Sequence, residues 1–195
     1  MKPKDTIIKA FKREIQLERG LKITIPNIDL VKAHADKADH NLIVMTDLDK
    51  LSHSDWVVIT AYYSMYHSAM AVLSKIGLDS KDHATTVAVL EYFFGKKIEK
   101  SLLDRFNELK EKKDKLETVK IEEKYINYLW KTKKTRETMQ YGISITYKET
   151  DIIINNTREF VTKIKLLLED INEDFVNISV EELKALWNSA KLRFT

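Results

Sequence analysis

An uncharged segment of 19 residues lies at positions 56–74 and reads WVVITAYYSMYHSAMAVLS. Its length would suffice for a membrane span, but three tyrosines, one histidine and several hydroxyl groups are a heavy polar load for lipid. Ser54 or Asp55 can open a helix here, and Gly77 stands where a helix commonly ends. We therefore expect the central helix of a water-soluble bundle, with no membrane association.

The composition of the 195-residue chain restricts the class of fold. Four glycines and two prolines are too few for turn-rich β-sandwiches, barrels or propellers. Hydrophobic residues at 44% and charged residues at 32% argue against disorder over the whole length. Because the chain has no cysteine, disulfides, thiol catalysis and thiolate zinc sites are excluded, and a reducing cytoplasm fits best.

Hydrophobic periodicity predicts four long helices of similar length, which can pack side by side. They are expected at 29–50, at 54–77, at 121–141 and after Thr146, with Asp29 capping the first and a Thr146–Glu149 capping box opening the fourth. The clearest stripe belongs to the fourth helix: Ile153, Thr157, Phe160, Ile164, Leu167 and Ile171. The first helix carries a weaker one: Leu30, Ala33, Leu42, Met45 and Leu48. The predicted fold is an all-α antiparallel four-helix bundle.

Accessory segments surround this bundle. We expect a short amphipathic helix at 4–19 and a crossover at 82–117, made of an apolar turn (87–94) followed by a charged helix. A capping box at Ser179–Glu182 predicts a C-terminal helix after a flexible joint at 172–178, and no strand is predicted. The predicted organisation is an N-terminal extension (1–28), the bundle (29–175) and a C-terminal accessory helix (176–195).

The basic charge is concentrated in one part of the chain. Residues 95–136 carry 14 basic and 8 acidic side chains, a net charge of +6, although the whole chain is only +3. The densest run ends the third helix: Lys131, Lys133, Lys134 and Arg136. Such a field attracts polyanions, and nearby aromatic residues offer stacking, so these four residues are predicted to bind RNA or phosphate. The alternative is a solvated, charged helix face.

Arg136 is the most informative of these residues because it lies at the edge of the apolar stripe of its helix. A guanidinium in that position needs an acceptor, which is either a phosphate in a groove or an ion pair, near Glu137 or with Glu149 or Asp151 of the fourth helix. The central helix supplies no carboxylate, but it does carry a polar seam that must find partners inside the bundle. With His83 from the crossover, the seam comprises Tyr62, Tyr63, Tyr66 and His67.

A metal site is a weaker interpretation. His34, Asp36, Asp39 and His40 are close in sequence, and the last three share one helix face. Solvation of an exposed surface explains the same residues more simply. We expect neither a metal ion nor a cofactor.

Several short motifs together resemble one branch of the HEPN domain family. The segment Ala61-Tyr-Tyr-Ser-Met-Tyr-His67 is similar to that branch's Tyr-Tyr-Ala-Met-Phe-His signature. Further similarities follow in the same order over residues 29–171: Gly77, Lys81-Asp-His83, Tyr92-Phe-Phe, Arg136 with Tyr141-Gly142, and Glu159-Phe160-Val161. The resemblance implies a helical bundle, usually a homodimer with a basic cleft.

The same resemblance implies a function. Many members of this family are metal-independent ribonucleases, including toxins paired with a minimal nucleotidyltransferase antitoxin. Their active motif is an arginine followed after four to six residues by a histidine; Arg136 matches the arginine, but no histidine occurs after His83, and Tyr141 stands in its place.

Two functions follow from these observations. The first is a homodimer that binds RNA or nucleotide phosphate and is ribonuclease-like, with Arg136 stabilising charge and His67, Tyr63 or Tyr141 moving protons. The second is a non-enzymatic helical interaction module, which the absent histidine favours. In that case Arg136 is structural and the terminal helices dock a partner.

Overall fold

The computed structural model describes residues 2–95, 121–139 and 147–192. The helices in these ranges are α1 (Pro3–Leu17), α2 (Ile28–Lys50), α3 (Ser54–Lys75), α4 (His83–Phe94), α5 (Glu123–Met139), α6 (Tyr147–Asp170) and α7 (Glu173–Lys191). Two short strands accompany them, β1 (Leu21–Ile23) and β2 (Leu78–Ser80). The predicted all-α bundle is confirmed. The charged helix predicted after residue 95, Tyr141 and the Thr146 cap lie outside the described residues.

The helix α3, which is uncharged between Asp55 and Lys75, is the centre of the bundle. It contacts α2, α4, α5 and α6, and Ala61, Met65 and Leu73 are fully buried along its length. Any charged side chain in the middle of a helix that is surrounded on several sides would have to be buried, and burial of a charge costs free energy. This explains why the segment carries no charge. Within the described ranges, no helix combines the length and apolarity that crossing a bilayer requires.

The apolar stripe predicted for α6 is confirmed, because all six of its residues are buried. The stripe of α2 is only partly correct: Met45 is buried, whereas Leu30 and Ala33 are exposed. The N-terminal part of α2 therefore covers little of the core. In its C-terminal half, Met45 packs in a small cluster with Val57 and Val58 of α3 and residues of α6.

One hydrophobic core joins the terminal helices to the centre of the bundle. Phe11 from α1 and Phe175 from α7 belong to the same buried cluster as Tyr62, Phe93 and Phe160. The rings of Phe11 and Trp187 meet edge to face at 5.3 Å. The ends of the chain thus bury apolar surface with the central helices, and this burial is the main source of stability in such a packing.

Two helix starts differ from the sequence predictions. Asn27, rather than Asp29, caps α2, because its side-chain oxygen accepts the Leu30 N–H at 2.9 Å. α7 begins at Glu173, capped by Asn172, whose oxygen accepts the Phe175 N–H at 2.9 Å. The joint predicted at 172–178 is therefore helical, and Ser179 is buried within the helix instead of capping it. Burial of Phe175 and Ile178 against the core explains the earlier start.

The prediction that no strand forms was wrong. β1 and β2 pair antiparallel, with Leu21 opposite Ser80 and Ile23 opposite Leu78. Gly77 makes this possible: it follows the end of α3 with a φ of 76°, and a Cβ there would lie 2.7 Å from the carbonyl oxygen of Thr24. Only glycine tolerates both the left-handed backbone and this close approach. Strands of three residues are too short to show an alternating pattern.

The prediction of an apolar turn at 87–94 was also wrong, because these residues belong to the helix α4. Asp82 caps this helix by accepting the Ala84 N–H at 3.2 Å. From Thr85 onward nearly every side chain of α4 is buried, except Glu91. A helix that is apolar on all sides shows no amphipathic period, so its sequence could not be told from that of a buried turn.

Candidate functional site

The polar seam of α3 forms a contact network with the first residue of α4. Tyr62, whose exposed fraction is only 1%, makes a hydrogen bond between its hydroxyl and Nδ1 of His83. The ring of Tyr66 lies 4.3 Å from the His83 ring, centroid to centroid. α3 and α4 thus bring Tyr62, Tyr66 and His83 together at one point.

Arg136 approaches this network from α5. Its Cζ lies 4.6 Å from the centroid of the Tyr62 ring and 5.9 Å from that of Tyr63. The Nε of Arg136 is buried, and among the described residues it has no hydrogen-bond partner. No carboxylate in the described ranges forms an ion pair with this guanidinium, so the structure does not show the ion pair to Glu149 or Asp151 that the sequence left open.

Lys133 lies next to Arg136 on the same side of α5. Its Nζ is 2.7 Å from a carboxylate oxygen of Glu137, and it lies 5.4 Å from the Trp130 ring centroid. This hydrogen bond holds the pKa of Glu137 below its usual value. α5 therefore contributes two cations and one carboxylate to the site, and this carboxylate is paired with Lys133.

The charges of α5 also act on His83. Burial, followed by the positive charges of Arg136 and Lys133, lowers the pKa of His83, while Asp82 and Glu137 oppose the shift. The imidazole is therefore neutral at pH 7. Burial raises the pKa of the Tyr62 hydroxyl, an effect that Arg136 partly offsets, so this tyrosine stays protonated.

His67 lies in a different environment from His83. Its Nδ1 is 3.1 Å from Nδ1 of His34 on α2, and the two rings are stacked with centroids 5.3 Å apart. Burial and the neighbouring His34 lower the pKa of His67, and burial lowers the pKa of His34. His67 is thus engaged with α2, whereas Tyr62 and Tyr63 are the residues of α3 that contact Arg136.

The four predicted basic residues do not share one surface. Lys133 and Arg136 face α3 and α4, whereas Lys131 and Lys134 line an open cavity of about 370 Å³ between α5 and α6. The cavity also presents Asn156, and its apolar wall contains Met139, Ile152 and Ile153. Among the described residues, neither Lys131 nor Lys134 forms an ion pair. The basic run therefore covers two adjacent faces of α5.

The weaker metal-site interpretation finds no support. In the part of the chain that the structure describes, no group of three or more candidate ligands is placed to hold a metal ion. His34 is paired with His67, and Asp39 lies 2.7 Å from Nζ of Lys165. These side chains are close in sequence, but they do not form a shared coordination centre.

Sequence reasoning placed His83 in the seam but did not connect it with Arg136. The two residues are 53 positions apart and belong to different helices, so no periodicity relates them. Only the resemblance of the Lys81-Asp-His83 turn pointed to this region. Arg13 was missed altogether: its guanidinium binds the Asp82 carboxylate at 2.8 Å and so fixes the residue before His83.

Comparison with known proteins agrees with this architecture. No curated protein matches the chain. The family model of the HEPN domain matches residues 31–167, which is most of the sequence and includes α3, α4, α5 and the greater part of α6. This chain belongs to the HEPN domain family.

Proposed function

We propose that this protein binds RNA or a nucleotide phosphate, as a homodimer, at the face formed by Arg136 and Lys133. HEPN domains are often ribonuclease-like or nucleotide-binding, and they commonly dimerise. The observation that carries the proposal is the guanidinium of Arg136, which is stacked on Tyr62 with a buried Nε and no carboxylate partner in the described ranges. A cation held in this way gains a strong acceptor when a phosphate oxygen arrives.

The surroundings of Arg136 suit a single-stranded nucleic acid. Tyr63 is 38% exposed and its ring lies beside the guanidinium, so it offers a stacking surface for a base. Lys131 and Lys134 add two cations on the adjacent face of α5, in the cavity next to α6 that Glu149 also lines. We propose that one strand crosses both faces, with its phosphates bound by the four basic side chains.

The exposed apolar surface of α3 supports the proposed dimer. Trp56 is 55% exposed and lies seven residues before Tyr63, which places both on one side of the helix. An exposed tryptophan beside a binding site is a usual feature of protein interfaces. A second copy covering this side would bring two Arg136 sites close to one another.

The proposed reaction is cleavage of RNA without a metal ion. Arg136 would stabilise the negative charge that develops on the phosphorus centre while a ribose 2′-hydroxyl attacks. A minimal nucleotidyltransferase is the proposed partner, in a toxin–antitoxin or defence system. The alternative remains a non-enzymatic module, which the exposed Trp56 equally favours.

Binding and cleavage of single-stranded RNA test this proposal. The purified protein is expected to bind with a steep dependence on salt and to cleave in the presence of EDTA, and Arg136→Ala is expected to lose both activities. Arg158→Ala is the matched control, because Arg158 is an exposed arginine of α6 that bonds Thr46.

The outcomes separate the two functions. Cleavage that Arg136→Ala abolishes and Arg158→Ala preserves supports the ribonuclease-like function. Salt-dependent binding without cleavage supports a phosphate-binding role only. If RNA binding is absent, or if Arg136→Ala binds and cleaves like the wild type, the proposal is wrong and the interaction module is favoured.

A further inference from the structure

We infer that His83 accepts the proton of the attacking 2′-hydroxyl, and that Tyr62 positions the imidazole for this step. The inference rests on the proposed function, since it concerns the same phosphate site. It assigns proton transfer to a histidine on α4 that bonds the hydroxyl of Tyr62, the tyrosine whose ring face contacts Arg136.

The contacts of Tyr62 carry the argument. Its hydroxyl is bonded to Nδ1 of His83, and the guanidinium of Arg136 lies on its ring at 4.6 Å. One buried side chain therefore holds both a proton carrier and a cation. When Nδ1–H donates to the Tyr62 hydroxyl, the lone pair of Nε2 is directed away from Tyr62 and can accept a proton.

The charges around His83 keep its imidazole in the form that accepts a proton. Arg136 and Lys133 face it from α5 together with Glu137, Asp82 precedes it in the chain, and Tyr62 and Tyr66 contact it from α3. Burial and the two cations lower the pKa of His83, so it is unprotonated at pH 7. Its position is fixed, because Asp82 caps α4 and binds Arg13 at 2.8 Å.

The other proton carriers near the seam are less suitable. Burial raises the pKa values of the Tyr62 and Tyr66 hydroxyls, so neither can accept a proton at neutral pH. His67 pairs with His34 of α2, and the charges that act on it are those of His34 and Lys37 rather than those of Arg136 and Lys133. His83 is the imidazole that the structure places against the tyrosine on which Arg136 is stacked.

The step balances as an internal phosphoryl transfer. The 2′-hydroxyl gives its proton to Nε2 of His83, the 2′-oxygen forms a bond to phosphorus, and the bond from phosphorus to the 5′-oxygen breaks. The departing 5′-oxygen takes a proton from water, and the imidazolium returns its proton to solvent. The products are a 2′,3′-cyclic phosphate and a 5′-hydroxyl, while Arg136 holds the charged phosphate oxygens.

The test uses the full-length protein and a single-stranded RNA in EDTA. His83→Gln is expected to bind this RNA with wild-type affinity but to cleave it about 100-fold more slowly or worse, as loss of a general base predicts. Tyr62→Phe keeps the ring under Arg136 and removes only the hydroxyl. It is expected to keep RNA affinity and to lower the cleavage rate by about 3- to 10-fold.

The pH profile distinguishes proton transfer from a structural role. The wild-type cleavage rate is expected to rise with pH up to the lowered pKa of His83 and to be level above it, and His83→Gln is expected to lose this rise. His53→Gln is the matched control, because His53 is exposed at the start of α3 and lies outside the site.

Each outcome bears on the inference separately from the proposed function. His83 is not the acceptor if His83→Gln cleaves like the wild type, or if His67→Gln abolishes cleavage and His83→Gln does not. Either result leaves the proposed Arg136-dependent cleavage unaffected. If the wild type binds RNA but never cleaves it, the inference is overturned and only phosphate binding survives. Loss of binding in Arg136→Ala with normal binding in His83→Gln supports the division of roles described here.

Discussion

Arg136 has a stability cost and a stabilising contact of similar magnitude. Its Nε is buried without a partner among the described residues, and a buried unpaired polar group costs roughly 1–3 kcal/mol. Stacking on Tyr62 returns part of this, since a cation over an aromatic ring contributes about 0.5–2 kcal/mol. A near-zero net contribution of Arg136 to folding is what its proposed phosphate-binding role predicts.

Replacement of Arg136 by methionine tests this balance. Arg136→Met keeps the apolar stem and removes the unpaired nitrogen, so we expect the free energy of unfolding in urea to stay the same or to rise by about 1 kcal/mol. Arg158→Met, on an exposed face of α6, is expected to change it by less than about 0.5 kcal/mol. A loss of about 2 kcal/mol or more in Arg136→Met would show that the guanidinium has a structural role.

Single residues were predicted well where local chemistry is sufficient. The position of Arg136 at the edge of an apolar stripe was readable from spacing, and the structure places it against Tyr62. The pairing of His34 with His67 was not readable, because it depends on how α2 and α3 lie against each other. The same holds for Arg13 and Asp82, which are 69 residues apart.

At the scale of elements, α7 shows how burial selects among possible helix starts. Asn172 and Ser179 both suit a helix N-terminus by residue type. The chain uses Asn172, and so the first turn of α7 brings Phe175 into the core, where its ring stacks on Phe94 with centroids 5.2 Å apart. Local pattern narrows the choice, but packing decides it.

Alanine substitution at the two positions tests this assignment. Asn172→Ala removes the acceptor of the Phe175 N–H and is expected to lower the free energy of unfolding by about 1 kcal/mol. Ser179→Ala removes a buried hydroxyl that has no partner in the described residues, and is expected to leave stability unchanged or slightly raised. Urea unfolding followed by circular dichroism measures both. A larger loss in Ser179→Ala than in Asn172→Ala would contradict the assignment.

Elements with strong periodicity were predicted, and those with none were not. The stripe of α6 identified its buried residues correctly because the helix is half-exposed and thus clearly amphipathic. α4 is buried on almost all sides and was taken for a turn, and β1 and β2 are too short to show a period. These two errors arose because neither α4 nor the strands show one buried and one exposed face in the sequence.

At the scale of the whole molecule, three half-buried histidines make stability depend on pH. The pKa values of His34, His67 and His83 are lowered in the folded state, chiefly by burial. Between these lowered values and the unfolded value near 6.5, the unfolded chain binds more protons than the folded one. Stability therefore rises with pH through this window and falls as the solution is acidified.

Urea unfolding at a series of pH values tests this expectation. The free energy of unfolding should decrease from about pH 7.5 to about pH 5.5, and the decrease should be smaller in the double variant His34→Asn/His67→Asn. The wild type at pH 7.5 is the reference for both series. A free energy that is constant over this range, or a double variant with the wild-type slope, would show that the histidines do not govern acid sensitivity.

The N-terminal segment, α1 and β1, contacts the turn that precedes His83. β1 pairs with β2 just before Asp82, the Lys81 N–H donates to the carbonyl oxygen of Gly20 at 3.2 Å, and Arg13 binds Asp82. The turn that presents His83 is thus anchored by the first 23 residues. This N-terminal segment precedes the matched family region, and its contacts with the turn hold the imidazole of His83 in place. We therefore expect substitutions at Arg13 or in β1 to lower the cleavage rate proposed for His83, even though these residues lie in a different part of the chain from Arg136.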